Sequence, residues 1–199
     1  YIAAMAIAGI APAEMRPIAL LLNVLVSAIA ALKFYRAGHF RWPLFWPFAV
    51  LSIPAAYLGG ALTLPGTAYK ILVGLVLLYA GGQLWWSARA GEALRPAREI
   101  PVALALAIGA GLGVLSGLTG VGGGIFLSPL LLLSGWAGTK QTSAVAAPFI
   151  LVNSLAALAA GFVRNPTLPP DYAWWLMAAV LLGGWAGAEL GSRRFANPL

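Results

Sequence analysis

The chain of 199 residues is 61% hydrophobic and only 9% charged, with a mean hydropathy of +0.90. Soluble domains carry about 25% charged residues, so this composition cannot cover a soluble globule and indicates an integral membrane protein. The lack of cysteine excludes disulfides, thiolate metal sites and cysteine catalysis, and the net charge of +7 is interpreted as loop arginines rather than as a nucleic-acid site.

Successive apolar segments predict membrane helices along the chain. A spanning helix needs about 20 largely apolar residues to cross a hydrocarbon core of about 30 Å. Residues 1–9 are too short to cross, and a half-length apolar piece from Ile125 to Ser134 follows a glycine-rich stretch. Full-length segments are predicted at 17–35, 43–64, 68–88, 101–117, 142–163 and 171–191.

Basic residues predict the orientation of the first half. The loops at 33–41 and 89–98 each contain three lysines or arginines, and two predicted spans separate them, so both lie on one side. The positive-inside rule makes that side cytoplasmic. The opposite loops hold only Arg16 and Lys70 as basic residues. Because the charge bias of the second half is weak, the sequence leaves that half unoriented.

The sequence also matches itself at a constant offset. Shifted by 126 positions, "LVSAIAAL" at 25–32 falls on "LVNSLAAL" at 151–158, with five of eight positions identical, and Gly9 falls on Gly135. Duplicated halves are common in secondary transporters, which place their substrate site where the repeats meet. The match therefore predicts two related transmembrane halves.

The repeat defines the predicted organisation of the chain. We expect a partial first transmembrane repeat at 1–88, a basic connecting loop at 89–100 and a second transmembrane repeat at 101–199. The fold class is an all-α, polytopic transmembrane bundle of two repeats, each with a discontinuous helix interrupted by glycines. Tyr1 corresponds to Leu127 at this offset, so the first interruption is expected upstream of residue 1, and the chain is expected to be a fragment that lacks it.

The stretch "SGLTGVGGGIFLSP" at 116–129 places three adjacent glycines inside hydrophobic sequence, and we call residues 120–124 the glycine break. A dinucleotide fingerprint, G-x-G-x-x-G, fails because the pattern that starts at Gly120 reaches Ile125 where glycine is required. A phosphate loop fails because it needs Gly-Lys followed by Ser or Thr, whereas Lys140 follows Thr139. Both nucleotide-binding interpretations are therefore rejected.

Close helix packing explains other glycines better than it explains the break. Glycines four residues apart let membrane helices approach backbone to backbone. This interpretation is favoured for two rows: Gly109, Gly113 and Gly117, and Gly183, Gly187 and Gly191. Packing does not require three adjacent glycines, which cost about 1 kcal/mol each inside a helix.

A discontinuous helix accounts for the break. The half-helix that starts near Ile125 would direct unpaired N–H groups and the positive end of its dipole into the interruption, which favours an anion. Ser116 and Thr119 would add hydroxyl donors, and glycine lets a ligand approach the backbone closely.

The sequence around the break resembles the TauE/SafE family, the sulfite exporter or organosulfonate permease group. The similar segment is "GLGVLSGLTGVGGGIFLSPLLLLSGWAGTKQTSAVA". Its shared elements are a G-x-G-G-G interruption, a downstream proline and a Thr-Ser pair, here Gly120, Gly122, Gly123, Gly124, Pro129, Thr142 and Ser143. In the first repeat, Arg16 and Pro17 stand where the second has Thr142 and Ser143.

The resemblance implies secondary transport of small sulfur-containing or carboxylated anions, such as sulfite, sulfoacetate or related sulfonates, across the lipid bilayer of the plasma or inner membrane. Protons are the implied coupling ion, and neither a cofactor nor a metal is implied. The candidate substrate-binding residues are Ser116, Thr119, Gly120, Gly122, Gly123, Gly124, Thr142, Ser143 and Asn153. N-capping is an equal alternative for Thr142 and Ser143, and helix–helix bonding is at least as good an explanation for Asn153.

Two other functional classes are alternatives to transport. A non-transporting membrane scaffold or assembly subunit would use the G-x-x-x-G faces to bind partners, and oligomerisation is left open. A membrane enzyme is disfavoured because the sequence contains no HExxH motif, no serine–histidine pairing and no membrane-embedded carboxylate pair.

Overall fold

The structure, a computed structural model, describes residues 2–90, 100–164, 170 and 172–193. Its described part is all-helical, as predicted. Residues 91–99, which form most of the predicted basic loop, lie outside the description. The helices are α1 (Ile2–Ile7), α2 (Pro12–Arg36), α3 (Trp42–Ala61), α4 (Gly66–Ala90), α5 (Val102–Thr119), α6 (Gly124–Leu133), α7 (Thr139–Arg164) and α8 (Tyr172–Arg193).

Helix lengths confirm the prediction of a polytopic membrane bundle. Among the described residues, five segments are long and apolar enough to cross a bilayer: Glu14–Arg36, Trp42–Ala61, Val102–Thr119, Thr139–Arg164 and Tyr172–Gly191. The helix α4 covers the predicted segment 68–88. The helix α6 has only 10 residues, which corresponds to about 15 Å and half of the hydrocarbon thickness.

The first glycine row joins α5 to α3 without intervening side chains. A Cβ atom built on Gly109 would lie 2.2 Å from the Phe48 carbonyl oxygen, and one on Gly113 would lie 2.3 Å from the Ser52 carbonyl oxygen. A Cβ on Gly117 would meet the Ala56 carbonyl oxygen at 2.3 Å. Close packing through this row is confirmed, and α3 and α5 run parallel because the paired residue numbers rise together.

The second glycine row does not pack backbone to backbone as predicted: of its three members only Gly191 has a described neighbour, Phe34 Cζ of α2 at 3.7 Å from its Cβ position, which is an ordinary side-chain contact. A Cβ on Gly183 or Gly187 would meet no described atom within 4 Å. The helix α8 approaches α2 through the adjacent residue instead, since a Cβ on Gly184 would lie 3.0 Å from Val26 Cγ2. The prediction for this row was wrong within the described chain because spacing alone does not reveal which face of α8 meets α2.

Polar contacts at the helix ends show the directions of two helix pairs. The two helices within each pair are parallel, and the two pairs run opposite to each other. The first pair is α2 with α8: Tyr172 donates to Glu14 Oε2 at 2.7 Å near their starts. Near their ends, Lys33 Nζ lies 2.5 Å from Glu189 Oε2. These two helices are therefore parallel, and the ion pair closes the end that contains the loop at 33–41.

The second pair is α7 with α3. Ser52 donates to Asn153 Oδ1 at 2.8 Å, and Arg164 donates to the carbonyl oxygen of Ala61. These helices are also parallel. The start of α2 lies at the same end of the bundle, because Arg16 donates to the last carbonyls of α3. The α2–α8 pair thus runs opposite to the α7–α3 pair.

The contact between Lys33 and Glu189 also orients the second half, which the sequence left open. It brings the C-terminal end of α8 to the end of α2 from which the basic loop at 33–41 begins. If that loop is cytoplasmic, as the positive-inside rule predicts, the end of α8 is cytoplasmic as well. The opposite end contains Arg16, Arg164 and the C-terminus of α3.

Candidate functional site

The glycine break separates α5 from α6. The helix α5 ends at Thr119 with Gly120 in the left-handed conformation (φ 76°), and α6 begins at Gly124 after Gly123 with φ 75°. Gly122 has φ 83°. An L-residue with a side chain rarely adopts this conformation, so the three glycines are required by the backbone path itself.

The chain reverses direction at the break. At the start of α6, a Cβ on Gly123 would lie 3.4 Å from Ser116 Cβ, near the end of α5. Just beyond the end of α6, the ring of Trp136 lies 6.3 Å from that of Phe48, and Phe48 is the residue that Gly109 contacts. The helix α6 therefore runs in the direction opposite to α5 and packs against α7. The sequence predicted an interrupted helix, whereas the structure shows a helical hairpin, since consecutive left-handed glycines turn the backbone around.

Side chains from α2 and α7 close around the glycines. A Cβ on Gly122 would lie 2.7 Å from Ile150 Cγ2, 3.0 Å from Asn23 Nδ2 and 3.1 Å from Ser154 Oγ. A Cβ on Gly124 would lie 2.4 Å from Ile150 Cδ1. Asn23, Ile150 and Ser154 are near the middle of α2 and α7. Gly122 and Gly124 therefore lie beside the middle turns of α2 and α7, whereas Gly120 lies against Arg16 near the start of α2.

Hydrogen-bond donors cover the carbonyl end of α5. The Tyr69 hydroxyl donates to the Thr119 carbonyl at 3.0 Å, and Asn23 Nδ2 donates to the Gly120 carbonyl at 2.9 Å. The Thr119 hydroxyl donates to the Leu115 carbonyl at 2.6 Å. Carbonyl groups at a helix C-terminus carry partial negative charge and would repel an anion. These donors reduce that repulsion.

On the side of α6, the break is lined by apolar atoms of Ile150 and Phe149 together with two serine side chains. The helix α6 has no side-chain N-cap, and the first N–H groups of a helix have no partner within it. Ser116 and Ser154 are each 0% exposed, and neither hydroxyl oxygen has a hydrogen-bond partner in the part of the chain that the structure describes. An unpartnered buried hydroxyl costs about 1–3 kcal/mol. Two of them beside an uncapped helix N-terminus form a site suited to the oxygens of an anion.

The structure brings six of the nine predicted site residues together and separates the other three. Those at the break are Ser116, Thr119, Gly120, Gly122, Gly123 and Gly124. Asn153 accepts a hydrogen bond from Ser52 of α3 and donates one to the Phe149 carbonyl at 2.9 Å. These bonds agree with the alternative that Asn153 joins two helices.

Thr142 and Ser143 lie near the start of α7. That helix begins at Thr139, so neither residue is its N-cap. The Ser143 hydroxyl donates to the Thr139 carbonyl at 3.1 Å. The Thr142 hydroxyl is buried without a partner, but it lies one helical turn, or about 6 Å, before Ala146, whose carbonyl approaches Gly124.

Ser154 and Asn23 are not among the site residues predicted from the sequence. Both are polar residues in the middle of apolar helices, which is a signal of function in membranes. Ser154 directly follows Asn153 in the segment that matches the first repeat, but nothing in that spacing shows which of the two faces the break.

Arg16 was predicted to lie in a loop and is instead inside α2. Its guanidinium donates to the carbonyls of Leu62 at 2.7 Å and Gly59 at 3.0 Å, and also to that of Gly60. The last four carbonyls of a helix have no intrahelical partner. Arg16 therefore caps α3 from a neighbouring helix, and this long-range contact has no sequence signature.

Comparisons with known proteins identify the family of the chain. A family model described as "Sulfite exporter TauE/SafE" matches residues 1–197. The chain belongs to the TauE/SafE family. It is similar to y4hK of Sinorhizobium fredii, named a probable membrane transporter protein, with 42% identity over 195 residues that cover 97% of this chain and 78% of y4hK. No solved structure matches this TauE/SafE chain. With its apolar helices, membership of TauE/SafE establishes a multi-pass protein of the cell membrane.

Proposed function

We propose that this membrane transporter carries small oxygen-rich anions, of which sulfite and organosulfonates are the main candidates, and that the glycine break binds them. The observation that carries the proposal is the pair of buried hydroxyls of Ser116 and Ser154, which have no partner beside the uncapped start of α6. Amide and hydroxyl donors directed at one place are the usual way to bind an anion without a buried cation. The family description, "Sulfite exporter", supports the same chemistry.

The directions of two corresponding helices support alternating access. The helix α2 and its counterpart in the second repeat, α7, run in opposite directions, as corresponding helices of an inverted repeat do. The break contacts α2 through Asn23 and α7 through Ile150 and Ser154. Relative motion of these two helices would therefore expose the same anion first to one side of the membrane and then to the other.

The scaffold alternative keeps one supporting feature. The row that begins at Gly109 is covered by α3 and is not available to a partner. Gly183 and Gly187, by contrast, present an open small-residue face among the described residues. A scaffold function would use this face of α8. It would be favoured if the purified protein transported no anion and co-purified with a partner protein.

Serine substitutions at the break test the proposed site. Ser116→Ala and Ser154→Ala should each weaken apparent affinity for sulfite at least about tenfold in proteoliposome uptake, because a hydrogen bond to a charged group contributes about 1.5–3 kcal/mol. The melting temperature of the ligand-free protein should stay the same or rise, since each change removes an unpartnered buried hydroxyl.

Ser27→Ala is the matched control for these variants. Ser27 is also buried (3% exposed), but its hydroxyl already donates to the Asn23 carbonyl at 2.5 Å. This variant should transport with unchanged affinity. Unchanged sulfite affinity in the Ser116→Ala and Ser154→Ala double variant would rule out the break as the anion site.

A further inference from the structure

Two arginines from different helices meet at the C-terminal end of α3. Arg16 of α2 and Arg164 of α7 both donate hydrogen bonds to carbonyl groups there. The accepting carbonyls are those of Gly59, Gly60 and Leu62 for Arg16 and that of Ala61 for Arg164. Because these four carbonyls belong to consecutive residues, the two guanidinium groups lie side by side, and we call Arg16 and Arg164 the arginine pair.

No carboxylate forms an ion pair with either arginine within the described part of the chain. The ion pair found there joins Lys33 to Glu189 at the opposite end of the bundle. Glu14, which is close to Arg16 in the sequence, accepts a hydrogen bond from Tyr172 instead. The C-terminus of a helix supplies only about half of a negative elementary charge. Most of the positive charge of the arginine pair is therefore uncompensated.

The arginine pair also retains hydrogen-bond donors. A guanidinium group has five N–H donors in a planar fork that matches the oxygens of an oxyanion. Arg16 forms three hydrogen bonds with α3, and Arg164 forms one. The accepting turn is held firmly against α7, since a Cβ on Gly60 would lie 2.7 Å from Ala157 Cα. Carbonyls on a fixed turn thus position both guanidinium groups, and the remaining donors can bind an anion.

The arginine pair leads from the surface to the break. Arg164 is exposed, whereas Arg16 is half-buried, and Arg16 Cγ lies 3.2 Å from a Cβ built on Gly120. The buried hydroxyls of Ser116 and Ser154 lie beside the following glycines of the break. Positive charge therefore extends from this end of the bundle to the edge of the glycine break.

We propose that the arginine pair is a second oxyanion subsite, which sulfonates and related anions occupy on the way to or from the glycine break. The inference rests on the proposed function, because it adds a second binding site for the same ligands. A sulfonate or carboxylate group presents two oxygens that a guanidinium fork can bind together. If the loop at 33–41 is cytoplasmic, this subsite lies on the other side of the membrane.

Equilibrium dialysis of the purified full chain in detergent against radiolabelled methanesulfonate tests the subsite, because both ends of the bundle are then open to solvent. The parent chain should bind two anions. Arg164→Gln keeps a donor for the Ala61 carbonyl but removes the charge. It should weaken one of the two sites at least about tenfold, since hydrogen bonds to charged groups are the stronger ones. The Ser116→Ala and Ser154→Ala double variant should weaken the other site.

Lys70→Gln is the matched control. Lys70 lies near the start of α4, at the same end of the bundle, and is exposed. The change removes the same charge without altering the arginine pair, so both affinities should stay as they are in the parent chain. Added salt should weaken the site that depends on Arg164 more than the buried site, because exposed charges are screened more strongly.

A capping role alone predicts a different result for Arg164→Gln, namely a lower melting temperature with both affinities unchanged. That result, or binding of a single anion by the parent chain, would overturn the inference and leave the break intact as an anion site. Absence of any binding that the serine changes weaken would contradict the proposed function itself. Arg16→Gln should reproduce the effect of Arg164→Gln if it folds, and the exposed Arg164 carries the test if it does not.

Discussion

Replacing Gly113 with leucine should separate α5 from α3 and lower the stability of the whole bundle. A Cβ at this position would lie 2.3 Å from the Ser52 carbonyl oxygen and 2.9 Å from Ala55 Cβ. Because the first of these atoms belongs to the backbone, no side-chain rotation can relieve the contact. Overpacking typically costs 1–3 kcal/mol, and we expect about 3 kcal/mol or more here. Thermal unfolding in detergent, followed by tryptophan fluorescence, measures the loss.

Gly183→Leu is the control for this variant. It introduces the same side chain into a membrane helix, at a position where a Cβ has no described neighbour within 4 Å. Its melting temperature should remain within a few degrees of that of the parent chain. Equal destabilisation by both substitutions would show that close packing of α3 against α5 does not contribute specifically to the stability of the bundle.

Gly122→Val should abolish transport. The valine would have to adopt φ 83°, at a cost of about 1–3 kcal/mol, and its Cβ would lie 2.7 Å from Ile150 Cγ2 and 3.1 Å from the Ser154 hydroxyl. Its side chain would occupy the place proposed for the anion. Uptake of sulfite by proteoliposomes should fall to the level of empty vesicles.

Gly38→Val separates backbone strain from obstruction of the site. Gly38 also has a left-handed φ of 74°, but a Cβ there meets no described atom within 4 Å, and the residue lies between α2 and α3. The variant should lose a similar amount of stability and still transport sulfite when folded. If Gly122→Val folds and transports as well as Gly38→Val does, the break is not the path of the substrate.

The helices were predictable because membrane segments carry a strong and local signal. The segment predicted at 43–64 is α3 at Trp42–Ala61, and the segment at 101–117 is α5 at Val102–Thr119. The start of α2 was misplaced by five residues, since its observed start is Pro12 and its predicted start was residue 17. Arg16 was predicted to lie in a loop because a charge in a membrane helix is costly. The carbonyls that accept its hydrogen bonds lie at the end of α3, which is distant in the sequence.

The site was predictable only in part. Left-handed backbone and close packing both require glycine, and sequence spacing correctly assigned packing to Gly109, Gly113 and Gly117. It could not show that the break turns the chain around, because both a straight interruption and a hairpin need the same residues. Nor could it distinguish Asn153, which bonds to Ser52, from its neighbour Ser154, whose hydroxyl lies beside Gly122.

The distinction between these neighbours follows from helix geometry. Adjacent residues on a helix point about 100° apart, so Asn153 and Ser154 face different neighbours. Only the packing of α7 against α3 and α6 decides which of the two meets the break, and that packing is tertiary. Polar residues in the middle of membrane helices can therefore be identified from sequence, whereas their partners cannot.

The position of a bound ligand tests the central claim most directly. A crystal structure of the full chain with bromomethanesulfonate would locate the ligand through the anomalous signal of bromine. We predict that the sulfonate lies at the start of α6, with its oxygens within hydrogen-bonding distance of Ser116 Oγ and Ser154 Oγ, whose partners are otherwise missing. A ligand bound elsewhere in the bundle, with the glycine break closed as it is around Ile150, would contradict the account.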